Sequence, residues 1–269
     1  IINICFQSAI SSLTLINSCK HLLFNDEMWS ALSSNPNAIH LLEQYQDKIN
    51  WVNLSRNPKA INLLEQNQNK IFWPSLSQNS NASQLLEKNL KDVYWEPLSR
   101  NPNVIHLIEQ NLDKIGPDLS YNPNAIDLLE QNPNLIRWYK LSTNPNAIHL
   151  LEQNMDKIDW SGLSENPSAV HLLEKNQDKI NWYGLSKNTN AVHLLEKNLD
   201  KIDWFKLSEN PEAIDLLKNN IDYIDWEHLS RNPKAINLLE QNQDKIDWWK
   251  LLHNPSIFEI DYQALQHRI

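Results

Sequence analysis

The chain has 269 residues, of which 41% are apolar and 21% are charged, and its formal net charge at neutral pH is −9. This acidic balance argues against a nucleic-acid-binding protein, because nonspecific nucleic-acid binding is carried by clustered Lys and Arg. The only cysteines, Cys5 and Cys19, have no CxxC or Cys/His ligand spacing and fit a reducing compartment.

Residues 1–24 are apolar and precede any regular pattern. Polar residues such as Asn3, Gln7 and Asn17 interrupt the apolar stretch, so no run approaches the roughly 20 residues that a membrane span requires. The segment therefore predicts a capping helix and no membrane association. Because the chain begins at Ile1, a removed N-terminal part is also considered. Residues 26–33 then resemble half of the unit that follows.

From Asn35 onward the chain is a tandem array with a step of 22 residues. Repeat 101–121 is one residue short and carries Gly116-Pro117 where the others carry a Trp. The sequence does not decide whether this repeat is a hinge. A fixed period of this size is the signature of a solenoid, in which each unit packs only on its neighbours. The unit starts are Asn35, Asn57, Asn79, Asn101, Asn122, Asn144, Asn166, Asn188, Asn210, Asn232 and Asn254.

Repeat 144–165 illustrates the expected unit. Asn144 is the predicted N-cap and Pro145 the first residue of a helix of about nine residues, which closes at Asn154 in a left-handed conformation. A second, very short helix is predicted from Asp159 to about Ser164, with Ile158 and Leu163 as a hydrophobic staple. Isolated helices this short are marginal in water, so stacking must stabilise them.

One Trp recurs in nearly every repeat, three residues before a Leu. Each ring could bury on the order of 200 Å², so we expect these residues to form a structural spine rather than a base-stacking platform. The predicted spine consists of Trp51, Trp73, Trp95, Trp138, Trp160, Trp182, Trp204, Trp226 and Trp248.

Two variable surfaces are candidates for binding a partner. The first is a stripe along the first helix, with residues three and four apart on one face. The second consists of the two residues after each Trp, and it is rich in aromatic side chains. The candidate residues are His106, Asn146, His149, Gln153, His171 and His193 on the first surface and Tyr139, Tyr183, Phe205 and Trp249 on the second.

The recurring His residues invite a metal-site hypothesis, since His149, His171 and His193 belong to consecutive repeats. The same position also holds Asn, Asp, Gln and Glu, which is typical of an exposed polar column. The sequence contains no phosphate loop, nucleophile elbow, HExxH or paired CxxC, and a uniform array offers few unique residues for a pocket. We therefore expect no enzyme activity, no metal and no cofactor.

Together these patterns predict an all-α, right-handed solenoid of two-helix repeats, elongated and on the order of 100 Å long. It comprises an N-terminal capping segment and half repeat (1–34), ten repeats (35–253) and a C-terminal cap helix (254–269). A 22-residue period also suits leucine-rich repeats, but the unit lacks a β-branched strand segment.

The unit Asn-Pro-Asn-Ala-Ile-His-Leu-Leu-Glu-Gln-Asn, followed by Asp-Lys-Ile-Asp-Trp and Leu-Ser, resembles the Asn-Pro/Trp repeat proteins encoded by giant nucleocytoplasmic DNA viruses of the mimivirus group. The ending Asn254-Pro255-Ser256-Ile257-Phe258-Glu259 is similar as well. The resemblance covers roughly residues 25–269. It implies a virus-encoded intracellular protein, in the host cytoplasm of an infected cell or in the virion.

The predicted function is non-enzymatic binding of a host or viral protein along one face of the solenoid. A virion or assembly component is the alternative, and it predicts self-association. A modular single-stranded nucleic-acid reader would need one residue pair per base, and the acidic charge disfavours it.

Overall fold

The computed structural model describes residues 26–258, and within this range the chain is helical throughout, with no strand. The capping helix predicted for residues 1–24 and the last residues of the predicted cap helix lie outside the described residues. Consecutive repeats pack helix against helix, which confirms the all-α solenoid of 22-residue repeats. The described chain groups into two compact units, residues 73–224 and the combination of residues up to Phe72 with those from Asp225 onward.

The first helix of each repeat is short because it starts late. It comprises five or six residues, begins after a buried Ala or Val in most repeats, and turns two Leu or Ile side chains into the core. These helices are Ile39–Gln44, Ile61–Gln66, Ser83–Lys88, Ile105–Glu109, Ile126–Gln131, Ile148–Glu152, Val170–Lys175, Val192–Glu196, Ile214–Lys218 and Ile236–Gln241.

A 3₁₀ turn of three residues follows each first helix, and the sequence pattern did not predict it. It lets the chain reverse within a few residues and places its first two side chains in solvent in most repeats. These turns are Gln46–Lys48, Gln68–Lys70, Leu90–Asp92, Leu112–Lys114, Pro133–Leu135, Met155–Lys157, Gln177–Lys179, Leu199–Lys201, Ile221–Tyr223 and Gln243–Lys245.

The second helix begins at the recurring Trp, which confirms the predicted helix start next to Asp159. Asp159 caps Trp160–Glu165 by accepting the Gly162 N–H at 2.6 Å. Ile158 and Leu163 are both buried, as a staple requires. The second helices are Asp26–Ser34, Trp51–Arg56, Trp73–Ser77, Trp95–Leu98, Trp138–Leu141, Trp160–Glu165, Trp182–Lys187, Trp204–Glu209, Trp226–Leu229 and Trp248–Leu251.

The Asn-Pro pair does not start the first helix, contrary to the prediction. The Asn144 side chain instead accepts the Asn146 N–H at 3.0 Å, and the Ala147 N–H donates to the Asn144 carbonyl, which makes a tight turn. The helix starts only at Ile148. Asn-Pro is compatible with both structures because the side-chain oxygen can accept an N–H two residues on in either one. Within residues 26–258, 3₁₀ turns at this point are formed only by Pro102–Val104, Pro211–Ala213 and Pro255–Phe258.

The Asn that ends each first helix does not adopt the left-handed backbone conformation that the sequence predicts. No residue of the described part has a positive φ, and Asn154 has φ −133°. Its side-chain amide donates to the Leu150 carbonyl at 2.9 Å and so satisfies one of the free carbonyls at the helix end. The Asn side chain thus caps the C-terminal end of the helix, the role predicted for a residue in the left-handed conformation.

The buried core of the array is aliphatic rather than aromatic. In repeat 144–165, Ala147, Leu151 and Leu163 are each 0% exposed, and Leu150 and Ile158 are 8% exposed. The nine tryptophans of the predicted spine are therefore not part of the fully buried core. Each of these tryptophans starts a helix but is only half-buried. They are Trp51, Trp73, Trp95, Trp138, Trp160, Trp182, Trp204, Trp226 and Trp248.

Two polar columns join the repeats inside the core. The Asn166 side-chain Nδ2 donates to the carbonyls of Ser142 at 3.0 Å and Asn144 at 2.9 Å in the preceding repeat. The Ser142 hydroxyl accepts the Asp159 N–H at 3.0 Å and donates to the Trp138 carbonyl at 2.8 Å. Because these buried groups satisfy one another, the core tolerates them at little cost. We call the repeated amide contacts the asparagine ladder.

Repeat 101–121 keeps its place in this ladder despite the missing residue. Asn122 still donates to the carbonyls of Ser99 and Asn101, both at 3.0 Å. The second helix is replaced there by the 3₁₀ turn Pro117–Tyr121. A Cβ on Gly116 would lie 2.7 Å from Cγ of Glu96, so the glycine permits a close approach of the preceding repeat.

The compact unit that holds both ends of the array contains a composite repeat. Asn35 donates to the carbonyls of Leu252 at 3.0 Å and Asn254 at 3.2 Å, and Asn37 donates to Pro255 at 3.0 Å. These contacts match those between consecutive repeats, in which Asn146 likewise donates to Pro123. Residues 254–258 therefore stand at the start of a repeat, and Asp26–Ser34 stands where the second helix of that repeat would be.

This junction corrects the expected distance between the two ends of the array. Asn35 and Asn254 are within hydrogen-bond distance, not about 100 Å apart. The start of the array and residues 252–255, which the sequence presents as parts of separate ends, are in contact. The second helix Asp26–Ser34 packs in turn against Trp51–Arg56, as second helices of consecutive repeats do elsewhere.

Candidate interaction surfaces

The first-helix surface is largely occupied by contacts between repeats. The imidazole Nε2 of His149 lies 2.6 Å from Oε1 of Glu130 in the preceding repeat. His106, His171 and His193 make the same contact with Glu87, Glu152 and Glu174 at 2.9–3.0 Å. All of these partners are about half exposed, so each pair adds little to stability.

The remaining candidates on this surface, Asn146 and Gln153, differ in whether a neighbouring repeat already holds their side chain. Asn146 is committed to the Pro123 carbonyl at 2.9 Å, whereas Gln153 is exposed. Gln153 borders a cleft of about 440 Å³ between repeats 122–143 and 144–165, together with Glu130, Trp138 and Lys157. Among residues 26–258, no three His, Cys, Asp or Glu side chains are grouped so that they could hold a metal ion.

A lysine from the next repeat covers the exposed side of most tryptophans. The ammonium of Lys179 lies 4.6 Å from the ring centroid of Trp160, within cation–π range. In one repeat Tyr223 replaces the lysine and stacks on Trp204 with ring centroids 4.9 Å apart. The other pairs are Lys70 with Trp51, Lys114 with Trp95, Lys157 with Trp138, Lys201 with Trp182 and Lys245 with Trp226.

The sequence itself carries a signal for this pairing, which a single repeat does not reveal. Repeat 101–121 has no Trp, and the following repeat carries Leu135 where most others carry the covering Lys. The Lys column therefore follows the Trp column of the preceding repeat in most repeats, although Asp92 stands at the covering position next to Trp73. This pairing explains why the aromatic column is half-buried and yet unavailable as an open stacking platform.

The second-helix surface carries the exposed aromatic side chains. In the compact unit 73–224, Tyr139, Tyr183 and Phe205 are 54%, 48% and 42% exposed. The ammonium of Lys206 lies 4.4 Å from the ring centroid of Phe205 and 5.4 Å from that of Tyr183. These residues combine large apolar area with a cationic neighbour, and we call them the aromatic face.

Trp249 presents a similar arrangement in the other compact unit. It is 40% exposed, and Lys250 lies 5.2 Å from the centroid of its ring. The His253 ring packs on it at 4.6 Å. Burial lowers the pKa of His253, and the positive charges of Arg231 and Lys250 lower it further. The lowered pKa favours the neutral imidazole, whose ring packs against Trp249.

Asp118, Lys140 and Arg100 form a charged cluster beside the aromatic face. Asp118 accepts hydrogen bonds from the Lys140 ammonium and from Arg100 Nε. Burial by itself raises the pKa of Asp118, but the hydrogen bonds and positive charges of Lys140 and Arg100 together hold that pKa below its usual value. Burial likewise lowers the pKa of Lys140, but the hydrogen bonds and charges of Asp118 and Tyr139 together raise it above its usual value.

Replacing Asp118 with Asn should lower stability at neutral pH and weaken its pH dependence. The depressed carboxylate pKa stabilises the fold above about pH 4, the unfolded value, and this contribution disappears as the pH falls through the folded pKa. The raised lysine pKa stabilises the fold below about pH 10.5, and that contribution is lost above it.

Melting temperatures measured from pH 3 to 11 check this expectation. The difference between the two proteins should be largest between about pH 5 and 9 and should shrink at both extremes. A constant difference across this range would contradict the assignment. Asp113→Asn, at an exposed carboxylate without an ion pair in the described range, is the control.

The described part of the chain contains no helix both long and apolar enough to cross a membrane. The sequence and the fold were also compared with known proteins. No family model, curated protein or solved structure matches the chain.

Proposed function

We propose that this chain is a non-enzymatic scaffold that binds a protein partner through the aromatic face. The observation that carries the proposal is the exposure of Tyr139, Tyr183 and Phe205, which lie at equivalent places in three repeats of one compact unit. Aromatic residues are enriched in protein interfaces because they bury a large area at a small cost in conformational entropy.

The charges beside this face support a protein rather than a nucleic acid as the partner. Lys140 and Lys187 each pair with a carboxylate of the preceding repeat, Asp118 and Glu165 respectively. A phosphate backbone would have to break these pairs to use either lysine, and salt-dependent phosphate binding relies on available cations. The overall charge of −9 opposes a nucleic acid further.

The first-helix surface is the weaker candidate for the same function. His106, His149, His171 and His193 are paired with glutamates, and Asn146 is held by the preceding repeat. Only Gln153 is left as an exposed candidate. On the resemblance alone, the proposal places the protein and its partner in a virus-infected cell or in the virion.

Replacing the three aromatic residues with Ser should weaken partner binding at least tenfold and leave the fold intact. Ser161 occupies the equivalent place in repeat 144–165, so the structure already accepts serine there. The partner is first captured from lysate of infected cells with and without nuclease. Its affinity for the purified chain is then measured for Y139S/Y183S/F205S and for the native protein.

The matched control is Gln153→Ala on the first-helix surface, which should bind as the native protein does. Unchanged affinity of the triple variant together with a loss in the Gln153 variant would move the site to the first helix. Nucleic acid as the only captured species would overturn the proposal. Capture of nothing but further copies of the chain would instead indicate an assembly component.

A further inference from the structure

A second exposed apolar surface lies on the 3₁₀ turns, on elements that the aromatic face does not use. The first residue of the turn is Leu90, Met155, Leu199 or Ile221 in four repeats of the compact unit 73–224, and these side chains are 37–46% exposed. The same place holds Gln46, Gln68 and Gln243 in the other compact unit. The apolar side chains are thus confined to one unit, although the turn folds equally well with glutamine.

Leu199 and Ile221 leave much of their apolar surface in water, and Tyr223 stacks on Trp204 while the rest of its side chain stays exposed. Leu199 and Ile221 are 45% and 42% exposed, and Tyr223 beside them is 61% exposed. Leaving such area in water forgoes roughly 25 cal/mol per Å². A partner that covers the turns would recover this free energy.

Acidic side chains without a partner accompany the apolar ones. Asp200 and Asp222 follow Leu199 and Ile221 directly, are exposed, and make no ion pair within the described range. The neighbouring Lys201 does not neutralise Asp200, because its ammonium lies 4.7 Å from the Trp182 ring centroid. Asp47, on a turn of the other compact unit, is paired with Lys48 at 3.3 Å.

We propose that Leu199, Ile221 and Tyr223, with Asp200 and Asp222, dock a basic amphipathic helix of a protein partner. Neighbouring repeats are about 10 Å apart if they pack as helices usually do, and seven residues of an α-helix advance about 10.5 Å. Apolar side chains seven residues apart on the partner therefore meet the turns of successive repeats. Lys or Arg next to them meet the two aspartates.

The charge of the chain selects a basic occupant over an acidic or neutral one. The unpaired carboxylates attract it locally, and the net charge of −9 attracts it at longer range. This inference is independent of the aromatic face, because the residues belong to different elements and are replaced separately.

The test uses a fluorescent synthetic peptide of about three heptads, with Leu at one heptad position and Lys at the flanking positions. Anisotropy titrations measure its affinity for the full chain. The variant L199Q/I221Q places at both turns the glutamine that the turns of the other compact unit carry. It should weaken binding at least tenfold, with an unchanged melting temperature. D200N/D222N should weaken binding less and should reduce its salt dependence.

Two control peptides separate this docking from simple charge attraction. A peptide with Glu in place of Lys should not bind, and a scrambled peptide of the same composition should bind at least tenfold more weakly than the heptad peptide. Equal binding of the scrambled peptide, or equal affinity of L199Q/I221Q, would overturn the proposal. Gel filtration of the native chain that shows an oligomer absent from L199Q/I221Q would also overturn it, since a second copy would then cover the turns.

Discussion

Replacing Asn166 with Asp should lower the free energy of unfolding by about 3–5 kcal/mol. The native side chain is 0% exposed and donates to two carbonyl oxygens at 2.9 and 3.0 Å. An aspartate has the same shape but no N–H to donate, so two carbonyls lose their donor. At neutral pH the substitution also buries a carboxylate against them. Denaturant unfolding followed by circular dichroism measures the change.

The same substitution at Asn35 tests the composite repeat. Asn35 donates to Leu252 and Asn254, so Asn35→Asp should destabilise the protein by a comparable amount if this junction resembles the others. Asn146→Ser is the control, because Ser168 stands at that place in the next repeat, and it should cost less than about 1 kcal/mol. A change below about 1 kcal/mol for Asn166→Asp would refute the ladder.

Replacing Leu163 with Ala should destabilise the protein more than replacing Trp160 with Ala, although Trp is the larger residue. Leu163 is 0% exposed, and truncation of a fully buried Leu costs about 3–5 kcal/mol through lost burial and a residual cavity. Trp160 is half-buried with Lys179 over its ring, so its loss should cost roughly 1–3 kcal/mol.

Denaturant midpoints of the two variants decide the order. Met155→Gln is the matched control, since Gln177 occupies its place in the next repeat, and its effect should stay within about 0.5 kcal/mol. A larger loss for Trp160→Ala than for Leu163→Ala would restore the tryptophan column as the main spine and would refute the aliphatic core.

Periodicity predicted the repeat and the second helix because both depend on local sequence. Asp159 before Trp160 is a capping pattern whose geometry is fixed within four residues, and the structure shows that cap. The start of the first helix was wrong because Asn144-Pro145 fits a turn as well as a cap. Only contact with the preceding repeat, to which the Asn144 amide donates, separates the two.

The sequence predicted which residues form the candidate surfaces but not which of their side chains are exposed or paired with a neighbouring repeat. Tyr139 and His149 are equally variable in sequence, yet one is exposed beside a lysine and the other is paired with Glu130. Pairing between repeats depends on which side chains the stacking brings together, and a single unit contains no such information. The junction of Asn35 with Asn254 was missed for the same reason, since each half repeat looks complete as a cap.

The composite repeat makes folding depend on the order of synthesis. Every other repeat meets its neighbour about 22 residues later, whereas Asn35 must wait for partners 217 and 219 residues downstream. At about 5–20 residues per second on the ribosome, this delay is on the order of ten to forty seconds. During that time the Asn35 amide lacks the two carbonyls that it meets in the folded chain, and a translation product that ends before Leu252 cannot form this junction.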